Sequence, residues 1–400
     1  MSNKPKVNGT VLIHGDAEVA ASSRTDVAPS ISVTTTFRAP KPEENVPPLS
    51  EKDLWNPPRH VYSRYTQDNT TRVEHILSKI NQGCAITYSS GLSAAYAALV
   101  FFKPKRVAIR GGYHGCHATI EVYKKSRDKE LKVIDLDDEY QPGDLCCLYE
   151  PDDADDDDDR DIQYYADKVH KVGGKLLVDS TFAPPPLQYP FKFGADIVHH
   201  SATKYFGGHS DLLAGILVVQ DPKDWDALLA DRIYLGSKMG SLESWLLLRS
   251  LKTFHLRIPR QSESGTELAQ WLHKIAETPA GQEYDQVPGG SITKVWHSAL
   301  QKADERGFLP SKQLEGGYNA TFSFLLLNGE QAARFPHLLK YFVPATSLGG
   351  VESLVERRLN SDPGADPRLI RLSIGVEEVE DLKNDLRQAL QKLAETKAKL

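Results

Sequence analysis

The chain has 400 residues, of which 40% are hydrophobic and 26% charged, with a formal charge of −6 at neutral pH. That length is enough to bury one large core and a smaller second one, and the mildly acidic balance offers no basic face for nucleic acid. The longest apolar stretches, such as Ala94–Phe102, fall well short of the roughly 20 residues a membrane helix needs, and the polar start Met1–Thr10 lacks the apolar core of a secretory signal.

Residues 1–58 show little periodicity and read as an N-terminal arm, with an extended, proline-punctuated stretch at Pro40–Pro48. From about residue 72, short apolar runs alternate with helical stretches. The expected elements are a strand at Cys84–Ser89, a helix at Ser93–Phe102, strands at Arg106–Arg110 and Leu145–Tyr149, and a helix at Ile162–Val172. Strands at Lys175–Asp179, Asp196–His200 and Gly215–Val219 follow. This alternation predicts an α/β domain around a mostly parallel sheet, spanning 59–250.

Beyond it the texture changes. Leu242–Leu256 and Glu263–Glu277 read as long helices, Ala320–Leu327 as a strand and Val379–Leu400 as a charged amphipathic helix. Residues 251–400 are therefore expected to form a smaller α+β domain. The four cysteines, Cys84, Cys116, Cys146 and Cys147, have no zinc or CxxC spacing, so no metal site is expected. Cys146 and Cys147 sit in an apolar run and read as buried thiols in a reducing, cytoplasmic setting. The acidic run Asp152–Asp161 lacks the alternate spacing of a calcium loop and reads as a solvated segment.

The most informative stretch is Leu176–Val219. The apolar strand Asp196–His200 runs into Ser201, Thr203 and Lys204, followed by Gly207 and Gly208. Ligands of open α/β sheets bind beyond the carboxyl ends of the strands, so Lys204 falls where chemistry is expected. A free lysine, with a pKa near 10.4, is a poor nucleophile at neutral pH, but it can condense with an aldehyde cofactor and act as a base once released. Asp179 closes the preceding strand, 25 residues earlier. It reads either as a turn cap or as the carboxylate that keeps a pyridine nitrogen protonated. Ser90, Gly91 and Leu92 follow a strand and open a helix, which is an anion site as well as a common helix start. Tyr113 lies among glycines and could stack on a flat ring.

Together these segments resemble the pyridoxal-phosphate enzymes of cysteine and methionine metabolism. The resemblance runs from about Val11 to Leu390 and is densest in Tyr62-Ser63-Arg64, Ser89–Leu92, Val178–Leu187, Gly194–Gly215, Ser347–Leu354 and Arg371–Leu382. The three prolines in Ala183–Leu187 resemble a fungal cystathionine γ-synthase-like branch. The resemblance implies an aspartate-aminotransferase-like fold (fold type I) and pyridoxal 5'-phosphate as cofactor, held by Lys204 as a Schiff base. It implies that Asp179 pairs with the ring nitrogen, that Tyr113 stacks on the ring, and that Ser90, Gly91, Leu92, Ser201 and Thr203 hold the phosphate. Tyr62 and Arg64 would reach the phosphate of a neighbouring subunit, making the enzyme a homo-oligomer, usually a tetramer of two tight dimers. Arg371 would grip the substrate carboxylate, for which a planar guanidinium is well suited, with Ser347 beside the substrate.

Two departures accompany the resemblance. The family's Glu-Ser-Pro-Thr-Asn-Pro is replaced by Glu150, Pro151 and the acidic run, so no asparagine is present to touch cofactor and substrate. The segment Tyr65–Thr71 likewise replaces the usual Asn-Pro-Thr. The implied activity is γ-replacement on an activated L-homoserine such as O-acetyl-L-homoserine. Its nucleophile would be a thiol such as cysteine, or sulfide, or a carbon nucleophile in secondary metabolism. The alternatives are a C–S lyase acting on cystathionine and a cofactor-binding pseudoenzyme.

Overall fold

Seven short strands make the larger sheet, and apart from the edge strand Lys132–Ile134 most of their residues are buried. In chain order they are β1 (Cys84–Tyr88), β2 (Arg106–Ala108), β3 (Lys132–Ile134), β4 (Leu145–Leu148), β5 (Lys175–Asp179), β6 (Ile197–Ser201) and β7 (Gly215–Val219). The computed structural model describes residues 6–19, 26–50, 53–127, 130–149 and 159–397, with side chains to Glu395. The strands lie in the order β1-β7-β6-β5-β4-β2-β3. Four neighbouring pairs are parallel, whereas β7 runs antiparallel to both β1 and β6. The carboxyl ends of β1, β2, β4, β5 and β6 therefore share one edge of the sheet.

Successive strand residues point to opposite faces, and both faces are covered. Ile86, Leu177 and Leu217 enter one cluster with Leu99, Ile120 and Leu228, from α3 (Gly91–Phe102), α4 (His114–Ser126) and α6 (Pro222–Leu235). Their neighbours Ala85, Leu176 and Val218 enter the other cluster. There they join Leu12 of α1 (Gly9–His14), Leu77 of α2 (Asp68–Asn81), Val169 of α5 (Ile162–His170) and Leu248 of α7 (Ser241–Leu251).

That second cluster continues without a break into the C-terminal half. The long helix α8 (Phe254–Glu277) leads to the small hairpin β8 (Glu283–Tyr284) and β9 (Val287–Pro288) and then to β10 (Ile292–Trp296) and β11 (Thr321–Leu326). After α9 (Gly329–Arg334) come β12 (Val343–Pro344), β13 (Leu354–Arg357), β14 (Leu369–Ser373) and α10 (Val379–Lys397). These strands form a five-stranded sheet in the order β10-β11-β14-β13-β12. Leu382, Leu386 and Leu390 of α10 recur at the helical period and are fully buried.

The structure departs from the sequence expectations in several places. Residues 242–277 do not break around Pro259. The break falls at residues 252–253, and α8 carries Pro259 in its interior. The burial of Phe254, Ile258, Leu268 and Leu272 on either side outweighs the lost hydrogen bond of the proline. The N-terminal arm contains α1, which is held by Leu12. Helix α2 is obscured in the sequence because its buried face mixes Asn69, Thr71, His75 and Ser78 with Val73 and Leu77. Cys146 and Cys147 are buried as expected, and burial raises the Cys146 thiol to about 12. Residues 150–158, including Glu150, Pro151 and most of the acidic run, lie outside the described residues. At the end of that run Asp161 caps α5, accepting from the Tyr164 amide at 3.2 Å. No helix among the described residues is long and apolar enough to cross a membrane.

One buried ion pair ties three elements together. Glu74 of α2 accepts from Arg232 of α6 and from the Thr87 amide and hydroxyl of β1 at 2.9 and 2.7 Å, and Arg232 Nη1 also donates to the Thr87 carbonyl at 2.9 Å. Removing the carboxylate strands a buried guanidinium, so Glu74→Ala is expected to cost about 3–5 kcal/mol. Urea unfolding of the variant beside the parent checks this; an unchanged midpoint would show that the pair does not hold these elements together.

Candidate active site

The shared carboxyl edge of the larger sheet opens into a cleft of about 430 Å³. Its lining includes Ser90, Gly91, Leu92, Tyr113, Asp179, Ser201, Thr203, Lys204, Ser347 and Arg371. Ten of the twelve residues singled out from the sequence thus meet in one place. Tyr62 and Arg64 do not line it: Arg64 donates to the Ile233 carbonyl at 3.3 Å and lies over the rings of Tyr62 and Tyr65.

Lys204 sits in the turn that follows β6, with its amide on the Ser201 carbonyl at 3.1 Å. The turn is held from outside by a residue with no sequence signal. Arg257 of α8 reaches into the loop, donating to the carbonyls of Tyr205 at 2.8 Å and Phe206 at 3.4 Å. Burial lowers its pKa to about 10, still well above neutrality. Gly208 has φ +66° and lies so close to this guanidinium that a side chain there would collide with it. Lys204 Nζ crosses the cleft to donate to Ser347 Oγ at 2.8 Å. Ser347 adopts φ +87°, a strained conformation for a residue with a side chain, and Gly349 two residues on packs against the Tyr205 amide. The loop from the second sheet is thereby pressed onto the lysine turn.

At the floor of the cleft, Asp179 and His199 are register partners on β5 and β6. His199 Nδ1 lies 2.9 Å from Asp179 Oδ2, an ion contact more than an aligned hydrogen bond. Its Nε2 lies 2.9 Å from the Gly91 carbonyl. Both neighbours are acceptors, which calls for a doubly protonated ring. Burial opposes that charge, but Asp179 and the Gly91 carbonyl outweigh it and raise the His199 pKa. Burial likewise opposes ionisation of Asp179, yet His199 and the Thr181 hydroxyl hold its pKa below the usual carboxylate range. Thr181 donates to Asp179 Oδ1 through its amide at 2.9 Å and its hydroxyl at 2.5 Å, and the same hydroxyl accepts from the Ser201 amide at 2.8 Å.

Beside this floor lies an anion cradle. Helix α3 begins here with Ser90 as its cap, accepting from the Ser93 amide at 3.1 Å. Ser90, Gly91 and Leu92 at the helix start line the cleft beside Ser201 and Thr203, whose hydroxyl also bonds the Ala214 backbone. A side chain at Gly91 would meet Ser201 at 3.1 Å, and one on Gly215 would strike the Ser90 carbonyl, so two glycines let helix and strand approach. Tyr113, at the entrance to α4, is 45% exposed and supplies an aromatic face to one wall.

The opposite wall comes from the second sheet. Arg371 of β14 is buried, and its Nη2 donates to Glu356 Oε2 at 2.7 Å and to the Ser347 carbonyl at 3.3 Å. Glu356, Arg358 and Ser361 line the same cleft. Sequence reading missed these three as well as Thr181 and His199. Of the five, His199, inside the strand leading to Lys204, and Thr181, just past the strand end at Asp179, carried a signal that could have been weighed. The position where an asparagine is missing after Pro151 lies outside the described residues. A cleft with a primary amine, a buried carboxylate, an anion cradle and an arginine suits a flat, phosphorylated aldehyde together with a carboxylate-bearing amine.

Comparison with known proteins gives the same direction. The family described as Cys/Met metabolism PLP-dependent enzyme matches residues 9–391. Among curated proteins, a cystathionine beta-lyase of Lactococcus lactis is 30% identical over 367 residues, covering 86% of this chain and 91% of the relative. A cystathionine gamma-synthase/O-acetylhomoserine (thiol)-lyase of Bacillus subtilis is 31% identical, covering 80% and 84%. Among solved structures, a methionine gamma lyase from Micromonospora echinospora superposes with a TM-score of 0.77 at 27% identity, covering 96% of this chain and 98% of its own.

The floor pair has a pH signature. Asp179 is depressed, so its contribution to stability is present above the unfolded value near 3.9 and is lost as pH falls through its folded pKa. His199 is raised, so its contribution is complete below the unfolded value near 6.5 and fades as pH rises through its folded pKa. The thermal-midpoint advantage of the parent over His199→Asn is therefore expected to be greatest between about pH 4 and 6.5. A constant difference across pH 4–9 would show that the pair is not ionised.

Proposed function

The chain belongs to the PLP-dependent enzymes of cysteine and methionine metabolism, and on that footing we propose that it catalyses γ-replacement on an O-acetyl-L-homoserine-type substrate with a thiol such as cysteine. The observation that carries the reading is the meeting of Lys204, Asp179 and Arg371 around one cleft, with the anion cradle between helix α3 and strand β6. These residues fit pyridoxal 5'-phosphate part by part. The phosphate would lie at Ser90, Gly91, Leu92, Ser201 and Thr203, the ring nitrogen at Asp179, the ring face at Tyr113 and the aldehyde carbon at Lys204. When bound, the cofactor ring supplies a sink for negative charge developing beside the substrate amine.

The chain's own residues do the rest. Asp179, held ionised by His199 and Thr181, keeps a protonated ring nitrogen paired in a buried place. Arg371 takes the substrate α-carboxylate, and its hold on the Ser347 carbonyl keeps it at the level of Lys204. The amine of Lys204, once the substrate amine has displaced it from the cofactor, moves protons at the substrate α- and β-carbons, with Ser347 Oγ within hydrogen-bond reach. In the replacement, the Cγ–O bond to acetate and the S–H bond of the incoming thiol break and a Cγ–S bond forms, with acetate and a proton leaving. Residues 59–250 carry the cofactor half of this machinery, and residues 251–400 bring Ser347 and Arg371. Tyr62 and Arg64 do not line their own cleft, which fits a homo-oligomer in which they complete a neighbour's phosphate site, with a tetramer of two such dimers as the proposed assembly.

A C–S lyase is the second reading, favoured by the name of the Lactococcus lactis relative. Incubating the loaded enzyme with O-acetyl-L-homoserine, with and without cysteine, separates the two. Cystathionine formed only when cysteine is present is the expected product by mass; 2-oxobutanoate released regardless of cysteine would overturn replacement. Borohydride reduction is expected to fix the cofactor mass on the peptide containing Lys204. Lys204→Ala is expected to lose that label and to lower turnover by about 10²–10⁴-fold or more; a label on another lysine would remove Lys204 from its role.

A further inference from the structure

Glu356 and Arg371 stand directly opposite each other on the antiparallel strands β13 and β14. Glu356 lies on the cleft surface itself, beside Arg371. Its two oxygens are held differently. Oε2 receives Arg371 Nη2 at 2.7 Å and Arg358 Nη1 at 3.2 Å, while Oε1 receives the Ser361 hydroxyl at 2.5 Å. All three charged side chains are 5–7% exposed. A carboxylate is thus seated on the guanidinium that a substrate carboxylate would take, and it has a second guanidinium and a hydroxyl of its own.

We propose that Glu356 is an internal stand-in for the substrate carboxylate on Arg371, and that Arg358 and Ser361 form the berth that keeps it when the substrate takes its place. The inference rests on Arg371 as the substrate's carboxylate partner. A carboxylate approaching Arg371 also approaches Glu356, and two like charges in a buried wall repel. Releasing Glu356 with nothing to hold it would leave a buried charge unpaired. Arg358, in the turn that ends β13, answers both difficulties: two guanidiniums then face two carboxylates, with one pair for each. Between substrates, Glu356 keeps Arg371 from collapsing elsewhere, and Arg371 stays tied to the Ser347 carbonyl beside the lysine turn. Glu356 and Arg358 are positioning residues in this account; they set affinity and selectivity for a carboxylate at this end of the substrate and leave bond-making to Lys204.

The test uses the loaded enzyme with Arg358→Met, Glu356→Gln and the double variant. Readouts are steady-state constants and titration of the cofactor absorbance with an amino acid and its carboxamide. Arg358→Met is expected to raise KM for the carboxylate substrate about tenfold with a much smaller change in kcat, and to leave carboxamide binding nearly as it was. Glu356→Gln is expected to lower KM severalfold, and the double variant to recover most of the loss. A higher KM in Glu356→Gln, or no recovery in the double variant, would overturn the stand-in role. Should Arg358→Met fail to load cofactor, Arg358→Lys keeps the charge without the planar fork, and an intermediate KM is expected; parental KM and carboxylate preference there would count against the berth. Arg371→Lys checks the underlying reading separately. If that variant keeps the parent's preference for carboxylate over carboxamide, Arg371 is not the substrate's partner, whatever Glu356 does.

Discussion

A histidine ring fixed between a carboxylate and a helix start, its pKa raised by both, is the constraint on which the cleft depends. His199 faces Asp179 with one nitrogen and the Gly91 carbonyl with the other, so the carboxylate end and the anion cradle are held at a set separation by one rigid ring. Thr181 adds a second tie, since its hydroxyl joins Asp179 to the Ser201 amide. A rigid ligand with charge at both ends needs such a spacing, because neither end can adjust once the other is seated. Burial makes the arrangement demanding: it opposes charge on both groups, and each offsets that cost for the other.

The second constraint is mechanical. Lys204 belongs to the first sheet and Arg371 to the second, so their relative position depends on how the two sheets are joined. Several contacts join them at the lysine turn. Arg257 gathers its carbonyls from α8, Gly349 lets the loop after β12 approach the Tyr205 amide, and Val351 donates to the Gly208 carbonyl at 2.9 Å. The strained backbone of Ser347 belongs to the same joint and aims its hydroxyl at Lys204. Chemistry that moves a proton at one atom while holding a carboxylate at another requires this registration between halves.

The residues visible in the sequence share a local context. Lys204, Asp179 and Ser90 to Leu92 each end or follow an apolar run, and strand ends of an α/β sheet are where ligands collect. Glu356, Arg358 and Arg257 have no such mark. Arg257 lies in the first turn of α8, between Leu256 and Ile258, and matters only because α8 passes the lysine turn. Glu356 and Arg371 are 15 residues apart in the chain and become partners through the pairing of β13 with β14. Helix α2 was obscured for a related reason: its polar residues are buried by partners that the chain supplies from far away.

By itself the sequence determined the α/β alternation, the strand ends and the chemical types gathered there, because periodicity and local punctuation are properties of neighbouring residues. The tertiary structure decided the charge state of the floor, the pairing of Glu356 with Arg371 and Arg358, and the seating of Ser347 on Lys204. Those depend on burial and on distances between residues remote in the chain, which no local pattern encodes. Lys204 could be singled out from its own strand; what surrounds it could be found only after the two sheets had closed upon it.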